Sequence, residues 1–242
     1  MNTQKTIDLM VELKLTGMAA TYQAMCEEPD HKLPSLHMAI AQLLEAEKLD
    51  REHKRSKTFL KLSKVRYQVK MEEIICSAER NLSEETLSML CEGSYIRKGQ
   101  NVLITGATGT GKSFLASALV DQACLQGHKA ICHPMLKFVE TIQTSKQAGS
   151  YMKLIDQIKK HQLLVLDDWG LQPMEHSAKV ALLQILEDRY GRGAVIITSQ
   201  LPVKSWHDYL NEPTIADAIM DRLTAKSYKI ELKGPSLRSK TE

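Results

Sequence analysis

The chain has 242 residues, a formal net charge of +3 and 43% hydrophobic residues, as expected of a globular protein that can bury a sizeable core. Its five scattered cysteines include no C-x-x-C pair, which argues against a disulfide framework and a zinc site. No apolar run is long enough to span a bilayer and the first residues form no apolar segment, so we expect a cytoplasmic protein with no membrane partner.

Residues 1–95 predict a small, all-helical N-terminal domain. Short helices are expected before and after Gly17, and a longer one begins at Ser35, with apolar positions that form a core face. Residues 81–85 offer an N-cap and acidic residues for the first turn of a helix that reaches Cys91. Residues 93–100 are the expected join to a second domain, 96–242.

A cluster of basic residues marks part of the N-terminal region. Between residues 51 and 70 there are eight basic residues and one acid, Glu52. At helical spacing Lys54, Lys57, Lys61 and Lys64 fall on one side, a pattern that suits a nucleic-acid backbone. A solvated helix face is the alternative interpretation. The candidate contacts with DNA are Arg51, Lys54, Arg55, Lys57, Lys61 and Lys64.

A glycine-rich stretch after the join fits the pattern G-x-x-x-x-G-K-[ST] of a phosphate-binding loop. Its residues are Gly106, Ala107, Thr108, Gly109, Thr110, Gly111, Lys112 and Ser113. A predicted strand precedes it and a predicted helix follows, the context in which backbone N–H groups and a helix start bind phosphates. We expect Lys112 to reach the β and γ phosphates and Ser113 to hold Mg²⁺. A glycine-rich turn with an incidental lysine is the alternative.

From residue 101 onward, predicted strands and helices alternate, which predicts an α/β fold with a parallel sheet flanked by helices. Four apolar residues, 163–166, indicate a strand buried on both faces. Asp167 and Asp168 follow it, where such sheets place ligands. This is a Walker B pattern: Asp167 would act on Mg²⁺, directly or through water, and Asp168 would orient or deprotonate the attacking water. A strand end with a capping aspartate is the alternative.

Two further residues follow these motifs. The buried strand predicted over residues 194–198 is followed by Gln200, a polar group that could sense the γ-phosphate or position water. An ordinary glutamine after a strand is the alternative. A short helix over residues 216–223 contains Arg222, and a last strand is predicted over residues 228–232.

A phosphate loop, an aspartate-ending strand and a polar group after the next strand resemble AAA+ ATPases. Within that superfamily, three stretches resemble the IstB helper ATPases of insertion-sequence transposition, relatives of the bacterial DnaC and DnaA proteins. They are LLVLDDWG (163–170), TSQLPVKSWH (198–207) and PTIADAIMDRL (213–223). The resemblance implies an ATP-dependent homo-oligomer that binds double-stranded target DNA and recruits and stimulates a partner transposase.

The resemblance also implies roles for single residues. Gln200 lies where AAA+ proteins have sensor 1, Arg222 lies where they have the arginine finger, and Arg238 could serve as a sensor 2 arginine. For residues 96–242 we expect an AAA+ domain with a minimal or absent helical lid. Asp168 stands where AAA+ proteins more commonly have glutamate.

Two other functions compete with this interpretation. A DnaC-like adaptor that loads a replicative helicase shares the same chemistry, and a pull-down that recovers either a transposase or a hexameric helicase separates the two. A metabolic P-loop kinase would need an arginine-rich lid segment near a substrate pocket, which the sequence lacks, and would leave the basic residues unexplained.

Overall fold

A computed structural model describes residues 3–29 and 33–237. The chain divides into two compact units, Met1–Thr58 and Phe59–Glu242. The division lies upstream of the boundary expected near residue 95, because residues 63–83 pack with the sheet of the second unit.

The first unit is helical. It contains α1 (Thr3–Glu12), α2 (Thr16–Glu27) and most of α3 (Leu36–Leu62). The buried Glu47 of α3 accepts hydrogen bonds at Oε2 from the N–H groups of Gly17 (2.9 Å) and Met18 (3.2 Å). These donors lie in the first turn of α2, where N–H groups have no partner within the helix. Glu47 therefore fixes the start of α2 against α3.

Residues 63–83 are not helical throughout, so that part of the prediction is wrong. They contain one short 3-10 turn (Met71–Glu73) and an isolated β-bridge between Ser77 and Leu82. Val69 and Leu82 are buried in the same apolar cluster as Val102 of the sheet. Burial against the sheet outweighs local helical preference here, and it makes this segment part of the second unit.

Five parallel strands form the sheet of the second unit, in the order β2-β3-β4-β1-β5. This confirms the predicted parallel α/β sheet. The strands are β1 (Asn101–Gly106), β2 (Ala130–Pro134), β3 (Leu163–Trp169), β4 (Ala194–Ser199) and β5 (Ser227–Leu232).

Helices cover both faces of the sheet. In β1, Val102 and Ile104 pack with Leu119 of one apolar cluster, while Leu103 packs with Leu182 of the other. This alternation is what a strand buried on both faces requires. The helices of the second unit are α4 (Glu84–Cys91), α5 (Ser94–Arg97), α6 (Lys112–Leu125), α7 (Met135–Gln147), α8 (Tyr151–Lys159), α9 (His176–Arg189), α10 (Trp206–Leu210) and α11 (Pro213–Thr224).

The predicted N-cap within residues 81–85 is confirmed, since Ser83 Oγ accepts from the N–H of Thr86 at the start of α4. Among the residues that the structure describes, no helix is both long and apolar enough to cross a membrane.

Candidate nucleotide site

The carboxyl ends of parallel strands lie at one edge of their sheet, and this edge gathers the polar motifs of the chain. β1 leads into the glycine-rich loop, and β3 ends with Asp167 and Asp168 before Trp169. β4 pairs with both strands and so lies between them. A residue near the end of β4 is therefore placed between the loop and the two aspartates.

The loop has the backbone shape that phosphate binding needs. Gly109 and Gly111 have φ angles of 85° and 89°, in the region that favours glycine. A Cβ atom would lie 2.1 Å from Ser236 Oγ if built on Gly109, and 2.8 Å from Arg80 Nη2 if built on Gly111. Both positions therefore need glycine for conformation, and Gly109 needs it for space as well, because the Cα atom of Ser236 would also lie 3.1 Å from the added Cβ.

Lys112 lies at the start of α6, directly after the loop. Its side chain is buried, and Nζ donates a hydrogen bond to the Ala107 carbonyl oxygen at 2.8 Å. The ammonium group is thus held across the loop, beside the N-terminal end of a 14-residue helix. Lysine, helix start and curled backbone are the features that bind anionic phosphates.

The loop and β3 meet through one carboxylate oxygen. Ser113 Oγ donates to Asp167 Oδ1 at 2.8 Å, and Thr198 Oγ1 of β4 donates to the same oxygen. Thr198 is fully buried. A hydroxyl and a carboxylate so close together are oxygen ligands of the kind that Mg²⁺ prefers, and the residues fit such an ion.

Asp168 has an unusual backbone conformation. Its φ angle is 64°, and the pairing of β3 with β4 shifts register between Leu166 and Trp169. Its N–H donates to Thr198 Oγ1 at 3.0 Å. Left-handed conformations of residues other than glycine often occur at functional sites. Asp168 also lines a cavity of about 470 Å³ that Met135 and Gly170 border.

Gln200 follows β4 and its side chain is exposed. The polar side chain of β4 that contacts the aspartates is Thr198, a residue to which the sequence analysis gives no role. Its only sequence signal is that it and Ser199 are hydroxyl residues at the end of an apolar strand.

Arg222 lies far from the loop of its own chain. Its Nη2 pairs with Glu187 Oε1 at 2.9 Å, its Nη1 pairs with Asp221, and its Cζ lies 5.1 Å from the centre of the Tyr190 ring. The Arg222 carbonyl accepts from Asn101 Nδ2 at 2.9 Å, at the amino end of β1. Arg238 lies outside the described residues.

The basic residues differ from one another in their surroundings. All five basic residues of α3 between positions 51 and 61 are exposed: Arg51, Lys54, Arg55, Lys57 and Lys61. Of these, Lys54 pairs with Asp50 at 2.7 Å and Arg51 with Glu47 at 2.7 Å. The prediction that Lys64 continues the helical stripe is wrong, because α3 ends at Leu62 and Lys64 has a φ angle of 57°.

Lys64 instead lines a small cavity of about 40 Å³ with Ser113, His133 and Asp167. His133 is buried there, and its Nε2 has no hydrogen-bond partner among the described residues. Burial lowers the pKa of His133 to about 4, and the nearby charge of Lys64 adds to the effect.

The low pKa of His133 predicts acid sensitivity. The unfolded chain takes up this proton near pH 6.5 and the folded chain only near pH 4, so protonation favours unfolding in that window. The free energy of unfolding should fall by up to about 3 kcal/mol as the pH drops from 6.5 to 4. Chemical denaturation of His133→Gln should show a flatter pH dependence there, whereas His37→Gln, at an exposed histidine, should keep the parent's. Equal pH dependence in all three proteins would contradict this explanation.

Comparisons with known proteins agree with this geometry. The family model described as IstB-like ATP binding protein matches residues 8–242. An insertion sequence ATP-binding protein of Sinorhizobium fredii is 36% identical over 233 residues, which cover 96% of this chain and 94% of that protein.

Solved structures share the fold. DnaI has a TM-score of 0.59 at 18% identity, with 73% of this chain and 94% of DnaI covered. The DnaC helicase loader has a TM-score of 0.54 at 15% identity, with 73% of this chain and 99% of DnaC covered. At these identities the likeness extends to the fold alone.

Proposed function

The chain belongs to the family of IstB-like ATP binding proteins and has an AAA+ fold, and on this basis we propose that it is an ATP-hydrolysing helper of insertion-sequence transposition. In this proposal it assembles as a homo-oligomer on target duplex DNA and recruits and stimulates its partner transposase. The observation that carries the proposal is the hydrogen bond between Ser113 and Asp167, which joins the phosphate loop to the carboxylates of β3 in a relative of insertion-sequence proteins.

The residues around the loop divide the work of binding ATP. Backbone N–H groups of the loop and the start of α6 would bind the phosphates, and Lys112 would turn from Ala107 to the β and γ oxygens. Ser113 and Asp167 would hold Mg²⁺, which when bound neutralises charge on the phosphates. Thr198 would keep the Asp167 carboxylate oriented through its hydrogen bond.

Hydrolysis needs a base near the attacking water. In the proposed reaction, a water oxygen forms a bond to the γ-phosphorus, the bond to the leaving ADP oxygen breaks, and Asp168 takes the proton of the water. Thr198 holds the backbone of Asp168 and the carboxylate of Asp167 together. Gln200, which directly follows β4, is the proposed sensor of the γ-phosphate.

DNA binding is proposed for the exposed basic residues of α3, including Arg55, Lys57 and Lys61. If Lys57 and Lys61 each contact a phosphate, replacing both by alanine should reduce the slope of log affinity against log salt by about 1.8. The affinities for duplexes of different sequence should fall by the same factor, because phosphate contacts carry no sequence information. Fluorescence anisotropy with duplexes at several salt concentrations measures both effects.

Lys153→Ala provides the matched control, because it removes one exposed lysine of α8, outside the basic stretch of α3, and its loss should change the slope little. Lys112→Ala removes the cation of the loop but no residue of α3. It should therefore lose ATP-dependent assembly on DNA and keep the binding that comes from charge attraction alone. A double variant with the parent's slope would make these lysines a solvated helix face. Recovery of a hexameric helicase instead of a transposase in a pull-down would replace the transposition role by helicase loading.

A further inference from the structure

We propose that Arg80 is a positioning residue for the phosphate loop. Its guanidinium group holds the peptide between Thr110 and Gly111 in the orientation that turns the Gly111 N–H toward bound phosphate. The proposal rests on nucleotide binding at this loop. It gives a role to a residue of the irregular segment 63–83, which lies far from the loop in sequence.

Arg80 contacts the loop directly. Nη2 donates to the Thr110 carbonyl oxygen at 2.8 Å, and Nη1 donates to the Ile75 carbonyl oxygen at 2.9 Å. One planar group therefore ties the loop to its own segment of the chain. A Cβ atom built on Gly111 would lie 2.8 Å from Nη2, so the guanidinium lies against the loop itself.

A second donor reaches the loop from the C-terminal residues 233–237, which we call the strap. The N–H of Leu237 donates to the Gly109 carbonyl oxygen at 2.9 Å. At its other end, the N–H of Lys233 donates to the Arg80 carbonyl oxygen at 3.1 Å. Arg80 and the strap therefore hold each other while each binds one carbonyl of the loop.

The orientation of these carbonyls decides where the N–H groups point. In a trans peptide the C=O and N–H bonds point in opposite directions. The carbonyls of Gly109 and Thr110 turn outward, to the strap and to Arg80, so the N–H groups of Thr110 and Gly111 turn inward. The N–H of Thr110 indeed faces the Ala107 carbonyl across the loop, at 3.4 Å.

Inward N–H groups are what bind phosphate oxygens in such loops. Without these outside donors, the peptides that follow Gly109 and Thr110 lose the hydrogen bonds that fix their carbonyls, and binding must then supply more of the ordering cost. Arg80 thus prepares the loop for its ligand without needing to touch that ligand. Lysine carries all its donors on one nitrogen and does not reproduce the two separate donor nitrogens that Arg80 uses.

The test is nucleotide binding by the full-length chain, measured by calorimetry with ADP and ATP. We expect Arg80→Ala to raise both dissociation constants about tenfold and Arg80→Lys to raise them less. Arg97→Ala is the matched control, because Arg97 also donates to one backbone carbonyl, Glu92 O at 3.4 Å, yet precedes the amino end of β1. It should bind nucleotide as the parent does.

A second readout distinguishes positioning from general stability. In protein labelled with ¹⁵N-glycine, ADP should shift the Gly111 amide resonance strongly in the parent and much less in Arg80→Ala, while the melting temperature without nucleotide stays near the parent's. If Arg80→Ala does not fold, Arg80→Lys decides: weaker ADP binding supports the proposal, and the parent's affinity overturns it.

Failure of this proposal can be told from failure of the nucleotide site. If the parent binds ADP, Lys112→Ala does not, and Arg80→Ala matches the parent in affinity and in the Gly111 shift, only the role of Arg80 is overturned. A parent that binds no nucleotide overturns the site and the role of Arg80 together.

Discussion

Replacing Arg222 by alanine should leave ATP binding near the parent's affinity but lower the rate of hydrolysis by about 10³–10⁵-fold, the range known for arginine fingers. The geometry of the subunit decides which ATP Arg222 could reach. The Arg222 carbonyl binds Asn101, the first residue of β1, whereas the loop begins at Gly106, the last. Five strand steps put about 16 Å between these ends, so an Arg222 that contacts γ-phosphate contacts that of another subunit.

Mixing two inactive variants tests this directly. Arg222→Ala subunits carry an intact loop and Lys112→Ala subunits carry an intact Arg222, so some interfaces in a mixture are complete. Steady-state hydrolysis should then exceed the sum of the two proteins measured separately. Arg192→Ala, at an exposed arginine, should hydrolyse ATP at the parent's rate. A mixture without added activity would reduce Arg222 to the local ion pairs with Glu187 and Asp221.

Replacing Asp168 by asparagine should lower the hydrolysis rate by about 10²–10⁴-fold and change ATP affinity little. The substitution is clean because asparagine, like aspartate, tolerates the left-handed backbone that Asp168 adopts at φ 64°. Its N–H bond to Thr198 can also persist. The variant lacks only the carboxylate that we propose accepts the proton of the attacking water.

The expected product of this variant is a long-lived ATP-bound complex on DNA, detectable as nucleotide retained after gel filtration. Asp217→Asn, at an exposed aspartate that contacts His207, is a control for removing one carboxylate and should retain full activity. Unchanged hydrolysis in Asp168→Asn would make Asp168 a structural residue at the end of β3.

The parts of the site that can be predicted from the sequence are those formed by residues close together in the chain. Strand, glycine loop and helix follow one another without a break from Asn101 to Leu125, and the run of apolar residues before Asp167 is that of a doubly buried strand. Parallel pairing then brings both motifs to one edge. The contact of Ser113 with Asp167, 54 positions apart, follows from these local patterns and the rule that such strands share an end.

Other features of the site and fold depend on contacts between distant residues, which no local sequence pattern predicts. Arg80 lies 30 residues before Thr110, in a segment whose spacing looks helical but whose apolar residues pack on the sheet. The early end of α3, which removes Lys64 from the basic stripe, has the same cause: Ser63 is fully buried, and its carbonyl accepts from the N–H of Cys132 in β2 at 2.7 Å. Tertiary burial decided these positions.

The separation of Arg222 from the loop restricts how subunits can be arranged in an assembly. A subunit that offers its arginine from one end of the sheet and its phosphate loop from the other can complete a neighbour only head to tail, an arrangement that closes as a ring or continues as a spiral. In a closed ring every bound ATP would have a finger. In an open spiral the ATP at one terminus would lack one, so it would persist longest and mark that end of the assembly as chemically distinct.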